Sequence, residues 1–162
     1  MPNESPGVVP PSVERVLKYF RALSREDKMQ ALLQYSRKLE PLPERFRDLD
    51  RSAYTIPECQ TRVDLFPEKR PDGTLHFYAD IDVRRSPTVA AFLAIVLSAV
   101  NDQPAATALA IPADFARQMM NSIGLGAREV GLNALLTRIK REAARLEQAG
   151  STVPVPVCGN NS

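Results

Sequence analysis

The chain is poor in the residues that build metal centres and disulfide frameworks. It contains two cysteines, Cys59 and Cys158, one histidine, His76, and no tryptophan. Two cysteines far apart in a chain of 162 residues are too few for a disulfide framework and indicate a reducing compartment. No second cysteine lies within two or three residues of Cys59, so the usual zinc and dithiol sites are short of ligands. Cys59 is therefore a lone thiol.

Long apolar runs and secretory signals are also absent. The longest apolar stretch, Val89–Val100 with one serine in it, is shorter than the roughly 20 residues that a membrane-spanning helix needs. The first residues, Met-Pro-Asn-Glu-Ser-Pro-Gly, lack the basic start and apolar core of a secretory signal. We therefore expect a cytoplasmic protein that does not contact a membrane.

An excess of charge of one sign is missing as well. The chain has 21 lysines and arginines against 19 aspartates and glutamates, a formal net charge of +2. A chain so close to neutral does not favour a nucleic acid as its partner. Gly-x-Ser-x-Gly, phosphate-binding lysine loop and His-Glu-x-x-His motifs are absent, and the glycines at 124, 126 and 131 lack the spacing of a dinucleotide-binding loop. The commonest hydrolase, nucleotidase, zinc-protease and dinucleotide-dependent classes are therefore disfavoured.

The composition that remains fits one globular domain. Apolar residues make up 44% and charged residues 25%, as in an ordinary soluble domain, and 162 residues suffice for a single core. Residues 1–11 are rich in proline and have no apolar period, which predicts a flexible arm. The Val-Pro repeat near the other end predicts a flexible tail over residues 150–162. The folded domain is expected over residues 12–149.

Turn and cap residues divide that domain into helices and a hairpin. One helix is predicted to begin at the cap Ser12 and a second at the cap Ser24. Pro71-Asp72-Gly73 is a turn sequence between two alternating strands, Arg62–Phe66 and Thr74–Asp80. A short third strand is expected near residues 81–84. The alternation leaves one face of the hairpin against helices and the other partly wet.

The remaining segments complete an α+β prediction. Residues 43–57, before Cys59, predict an irregular loop of the kind that carries function. A buried helix is expected over residues 87–100, two short helices after Pro104 and Pro112, and a last helix over residues 127–149. The outer face of that last helix is expected to be basic, with Arg138, Lys140, Arg141 and Arg145. The predicted fold is α+β, with a small antiparallel sheet of about three strands and helices packed on one side.

Cys59 is the candidate for chemistry. It stands in the polar stretch Ile56-Pro-Glu-Cys-Gln-Thr-Arg-Val63 at the start of the first predicted strand. A thiolate is a soft nucleophile toward sulfur, carbonyl carbon or a metal, and a loop can present it to another protein. Most free cysteines are instead buried and behave as small apolar side chains. The residues alone leave both interpretations open.

The stretch around Cys59 resembles the SufE family of sulfur acceptors, whose members carry a Val-x-Gly-Cys-x-Ser-x-Val-like sequence before the first strand. Glu58 stands where the family usually has glycine, and Thr61 where it usually has serine. An ionised Glu58 beside the sulfur opposes thiolate formation by like-charge repulsion. The resemblance continues through the second strand, the central helix and the start of the last helix, and covers about residues 12–149.

The resemblance implies a function and a set of site residues. Cys59 would accept the persulfide sulfur of a SufS-like cysteine desulfurase, stimulate that enzyme and pass the sulfur to scaffold proteins of iron–sulfur cluster assembly. Glu58, Gln60, Thr61 and Arg128 would support the loop or contact the partner. The pyridoxal phosphate belongs to the desulfurase, and this chain would bind no metal and no cofactor beyond the transient persulfide. It would be a monomer or homodimer and an accessory protein rather than a free-standing enzyme.

Two other functions stay open on the residues alone. The chain could be a protein-binding module with a structural Cys59, docking through the basic last helix or the loop over residues 43–57. It could instead be a transferase or hydrolase that uses Cys59 as nucleophile and His76 as base. No acid partner for His76 is identifiable in the sequence, so we expect it to be solvent-facing or satisfied by local contacts. Cys158 is expected to be an incidental thiol.

Overall fold

The first helix packs on the middle of the chain. A computed structural model describes residues 10–57, 62–121 and 129–149. Helix α1 spans Pro11–Arg21. Pro10 is its N-cap residue, and Pro11 stands in its first turn. Ser12 was predicted to cap this helix, and that prediction is wrong. The Ser12 hydroxyl instead donates a hydrogen bond of 2.7 Å to the carbonyl of Ala99 and ties α1 to the central helix.

One buried helix lies at the centre of the main core. Helix α2 is Arg25–Ser36, and its predicted cap is confirmed, because the Ser24 side chain accepts a bond from the amide of Asp27. The central helix α4, Pro87–Val100, is buried on nearly every face, as predicted, and contacts α1 and α2 as well as the second strand of the hairpin and the last helix. The remaining helices are α3 (Glu44–Arg47), α5 (Ala105–Leu109), α6 (Phe115–Asn121) and α7 (Glu129–Ala149). Over the described ranges, no helix combines the length and apolarity that crossing a bilayer demands.

The sheet is a single antiparallel hairpin. Strand β1, Asp64–Lys69, pairs with strand β2, Leu75–Asp80, so that Asp64 lies opposite Asp80 and Glu68 opposite His76. The third strand predicted near residues 81–84 is not formed. The chain turns there, because the Asp82 carboxylate accepts bonds from the amides of Arg84 (3.1 Å) and Arg85 (3.2 Å). The α+β prediction is confirmed, with two strands where about three were expected.

Both faces of the hairpin are buried. Leu65, Leu75 and Phe77 join the main core with the helices. The opposite face was expected to be partly wet, and this expectation is wrong. A second apolar cluster covers it, made of Phe46, Tyr54, Phe66 and Tyr78, with ring centroids of Phe46 and Phe66 5.0 Å apart.

The segment that covers this face is the one predicted to be an irregular loop. It contains α3 and a short 3₁₀ helix, Arg51–Ala53. The aromatic residues Phe46 and Tyr54 give the segment enough apolar area to pack on the strands. Residues 43–57 thus form part of the fold and lead directly to the segment that holds Cys59.

Two glycines provide a stability test with opposite signs. Gly73 has φ +90° in the hairpin turn, a conformation that costs a residue with a side chain about 1 to 2 kcal/mol. Gly131 lies inside α7, and a Cβ added there meets no atom within 4 Å beyond its chain neighbours and the helix's own backbone. We expect Gly73→Ala to lower the free energy of unfolding by about 1 to 2 kcal/mol, and Gly131→Ala to raise it by up to about 1 kcal/mol. Urea denaturation of both variants beside the wild type measures this, and a shift of the same sign in both would contradict it.

Candidate functional site

The residues predicted for the site fall outside the described part of the chain. These are Cys59 with its neighbours Glu58, Gln60 and Thr61, and also Arg128. Cys158, which was expected to be an incidental thiol, lies outside the described residues as well. The structure instead describes both ends of the short segment that contains Cys59. The geometry of those ends decides what the candidate site is attached to.

Backbone hydrogen bonds hold the two ends of the Cys59 segment together. The amide of Ile56 donates to the carbonyl of Val63 at 2.9 Å, and the amide of Leu65 donates to the carbonyl of Tyr54 at 2.9 Å. Ile56 and Val63 are both fully buried. Each residue advances the chain by at most about 3.6 Å, so covalent geometry alone keeps the Cα of Cys59 within roughly 11 Å of that of Ile56. The segment that carries the candidate cysteine is therefore anchored at both ends, and we call these anchored ends the base of the Cys59 segment.

An ionic cluster around the buried Asp64 reinforces that base. Nη1 of Arg51 donates to Oδ2 of Asp64 at 3.2 Å and also to Oδ2 of Asp80. The Thr55 hydroxyl donates to the other carboxylate oxygen of Asp64, whose side chain is only 1% exposed. The pKa of Arg51 is raised above its ordinary value, chiefly by its hydrogen bond to Asp80 and to a smaller extent by its hydrogen bond to Asp64. The cluster joins the 3₁₀ helix, the first residue of β1 and the last residue of β2.

Sequence reasoning missed this cluster, although the strand pairing contains a signal for it. In the hairpin register Asp64 lies directly opposite Asp80. Like charges at opposing positions destabilise an antiparallel pair, so a cation between them is expected once the register is known. Arg51 supplies that cation.

The last helix holds the same segment from another side. Nη2 of Arg138 on α7 donates to the carbonyl of Ala53 at 2.5 Å, and Nη1 donates to that of Thr55 at 3.4 Å. Its Nε also pairs with Glu142 at 3.3 Å, and the Arg138 side chain is 14% exposed. Arg138 thus fixes the chain a few residues before Cys59.

The basic outer face predicted for the last helix is largely used within the molecule. The Lys140 ammonium donates to the carbonyl of Ile111, and burial lowers the pKa of Lys140. Arg145 pairs with Glu142 at 2.8 Å. Arg138 contacts the segment before Cys59, as described above, and Arg141 is exposed and makes no ion pair with the described residues. The helix therefore offers little of the basic docking surface that the sequence suggested.

A cleft opens beside the base of the Cys59 segment. Its volume is about 730 Å³, and its polar lining includes Arg51, Arg62, Asp64, Asp80, Asp82 and Arg85. Arg62 follows Cys59 by three residues, so the cleft adjoins the candidate cysteine through the chain itself. The arrangement can hold a charged segment of another protein next to the thiol.

His76 lies at the other end of the hairpin and has two acid partners. Its Nε2 contacts Oε1 of Glu40 at 2.6 Å, and its Nδ1 contacts Oδ1 of Asp102 at 3.0 Å. The side chain is buried, so a satisfied histidine is confirmed and a solvent-facing one is not. Both acids follow the ends of helices, and nothing in the sequence relates them to His76.

The position of His76 argues against a role as base for Cys59. Asp80 lies four positions further along β2, a distance of about 13 Å along the strand. Both of its ring nitrogens are already engaged by carboxylates. The transferase function with His76 as base is therefore not supported by the geometry.

Comparison with known proteins identifies the family. The model of the SufE family, described as an Fe-S metabolism associated domain, matches residues 14–143. The chain belongs to the SufE family. This confirms the resemblance seen around Cys59, and the matched range includes Cys59 and Arg128.

Two SufE-type relatives and one solved structure extend this result. A SufE-like protein of Mycobacterium tuberculosis, itself uncharacterized, is 31% identical over 152 residues, which are 90% of this chain and 98% of that protein. The sulfur acceptor protein CsdE of Escherichia coli is 32% identical over 115 residues, 68% of this chain and 72% of CsdE. The solution structure of a hypothetical protein from Thermus thermophilus superposes with a TM-score of 0.73 at 26% identity, and covers 88% of this chain and 99% of that one.

Proposed function

We propose that this SufE-family protein accepts sulfur on Cys59 from the persulfide of a cysteine desulfurase. The observation that carries the proposal is the position of the cysteines: Cys59 is the only cysteine within residues 14–143, the range that the family model matches. CsdE, a relative across most of its own length, is named as a sulfur acceptor protein. A sulfur acceptor needs a thiol, and within the shared domain this chain has one.

The transfer step is a thiol exchange in which sulfur is the group that moves. The thiolate of Cys59 attacks the outer sulfur of the partner's cysteine persulfide and forms a new sulfur–sulfur bond. The original sulfur–sulfur bond breaks, and the partner cysteine leaves as a thiolate with the bonding electron pair. Cys59 then carries the persulfide, and no external oxidant or reductant is consumed. The Cys59 proton passes to solvent when the thiolate forms.

The framework around the segment suits this chemistry. Attack requires the reacting sulfur atoms to meet at a defined distance and angle, and a fixed base reduces the conformational freedom that docking must remove. Arg51 and Arg138 supply such a base on two sides, together with the buried residues Ile56 and Val63. Glu58, Gln60, Thr61 and Arg128 stay candidates for contact with the partner.

The proposed partners are those that membership of the SufE family implies. The donor is a cysteine desulfurase of the SufS type, which carries the pyridoxal phosphate, and the recipient is a scaffold protein of iron–sulfur cluster assembly. Removal of sulfur from the desulfurase frees that enzyme for another turnover, so the chain stimulates it.

Mass spectrometry tests the proposal directly. After incubation with its desulfurase, pyridoxal phosphate and cysteine, the wild-type protein is expected to gain the mass of one sulfur atom on the peptide that contains Cys59. Cys158 serves as the internal control and is expected to stay unmodified, since it lies outside the matched domain. Alanine production by the desulfurase should rise in the same reaction. An unmodified Cys59 with no rise in alanine would overturn the proposed function.

A further inference from the structure

The cleft beside the Cys59 segment contains three aspartates that already make hydrogen bonds within the fold. Asp64 accepts from Arg51 and Thr55, and Asp80 accepts from Arg51. Asp82 accepts from two backbone amides of the turn that follows β2. Both oxygens of Asp64 are engaged, whereas Asp80 and Asp82 each use one oxygen in these bonds. The three aspartates formally balance the charge of the three arginines in the lining.

The arginines at the same cleft have unused donors. The Arg62 side chain is 69% exposed, and its contact among the described residues is a single long one, Nε to Oδ2 of Asp64 at 3.4 Å. Arg85 is exposed, and its guanidinium makes no ion pair with any residue that the structure describes. A guanidinium presents five N–H donors in a planar fork that fits a carboxylate at two points. Two such forks therefore face one cleft of about 730 Å³ with their hydrogen-bonding capacity nearly free.

We propose that this cleft binds an acidic surface segment of the sulfur-donating desulfurase, with its aspartate or glutamate carboxylates on Arg62 and Arg85. The inference rests on the proposed function and adds the kind of surface that the partner must present. Arg62 stands three residues from Cys59, so a partner held there is brought beside the thiol. Complementary charge at the edge of a contact mainly speeds and orients the encounter.

Charge reversal in the cleft tests the inference against a matched control. The test variant is Arg62→Glu with Arg85→Glu, and the control is Arg25→Glu with Arg37→Glu, two exposed arginines of α2 and its end that lie outside the cleft. The test variant is expected to need about tenfold more protein for half-maximal stimulation of the desulfurase, with the maximal rate unchanged. The control should behave as wild type. A variant with lysine at both cleft positions should have a half-maximal concentration close to that of the wild type, because the positive charge is retained.

A second measurement does not depend on the desulfurase. In a Cys158→Ser background, Cys59 is treated with the dianionic disulfide of thionitrobenzoate and with the neutral disulfide of thiopyridine. The ratio of the anionic to the neutral rate should fall about tenfold in the cleft variant and stay unchanged in the control. This ratio measures how strongly the cleft attracts carboxylates, and it can be obtained even if no desulfurase transfers sulfur to the chain.

The two measurements separate the two proposals. An unchanged half-maximal concentration in the cleft variant, with normal stimulation, would overturn the acidic-partner inference and leave sulfur acceptance intact. No sulfur gain on Cys59 and no stimulation by the wild type would overturn sulfur acceptance, and the rate ratio would then decide whether the cleft selects carboxylates. Loss of the reagent preference in millimolar inorganic phosphate, with stimulation unaffected by charge reversal, would identify a phosphate site and overturn the inference.

Discussion

Cys59→Ser is expected to abolish sulfur acceptance while the protein still folds. Serine is close to cysteine in volume, but its oxygen cannot carry a persulfide, so the chemistry is lost with almost no cavity. The free energy of unfolding should change little if water reaches the hydroxyl, and by about 1 to 3 kcal/mol if the hydroxyl is buried without a partner. The measurements are the mass gain after desulfurase treatment, the rate of alanine formation and the urea midpoint.

Cys158→Ser is the matched control for this experiment. It makes the same atomic change at the other cysteine, and we expect it to accept sulfur as the wild type does. Equal stimulation of the desulfurase by Cys59→Ser and wild type would mean that Cys59 is structural. The chain would then be a protein-binding module that activates its partner by contact alone.

Local sequence was enough to predict the elements whose formation depends on neighbouring residues. The turn Pro71-Asp72-Gly73, the Ser24 cap and the apolar run of α4 each determine structure within a few residues, and the structure has all three. Ser12 failed as a cap because its hydroxyl finds a partner on α4, distant in sequence. Tertiary contacts of this kind cannot be seen in a local pattern.

The expectation that one face of the hairpin is partly wet was wrong for a related reason. Alternation of residues in β2 shows which side chains share a face, but it does not show what covers that face. Tyr78 and His76 are polar enough to suggest exposure, yet Phe46 and Tyr54 pack over Tyr78 and its strand partner Phe66. The covering segment was itself predicted to be irregular, so its apolar residues were not assigned to a core.

The candidate site also has a part that the sequence predicts and a part that it does not. Cys59 was found from the sequence because the residues around it resemble a family motif. The groups that hold its segment come from three other parts of the chain: Arg51 from the 3₁₀ helix, Asp80 from the end of β2 and Arg138 from α7. Their partners are set by the strand register and by the docking of α7, which the sequence alone does not give.

Arg51→Met is expected to give the largest loss of stability among substitutions in this framework. Methionine keeps much of the length of the side chain but leaves the buried Asp64 carboxylate without its guanidinium and opposite the Asp80 carboxylate. Removing one partner of a buried ion pair costs about 3 to 5 kcal/mol. Because the Arg51 side chain is 28% exposed, we expect a somewhat smaller loss, about 2 to 4 kcal/mol, from urea denaturation.

Two further variants determine whether the buried charge is the cause. Asp80→Asn removes the partner whose side chain is 43% exposed, and its cost should stay within about 1 kcal/mol, as for other exposed ion pairs. Asp64→Asn in the Arg51→Met background removes the uncompensated charge, so it should recover a large part of the lost stability. Equal losses in Arg51→Met and Asp80→Asn, with no recovery in the double variant, would show that the cluster acts by packing and not by charge.

Sulfur acceptance, measured at a temperature where all variants are folded, then tests whether Arg51 positions the Cys59 segment. If it does, acceptance by Arg51→Met falls well below that of the equally folded Asp80→Asn.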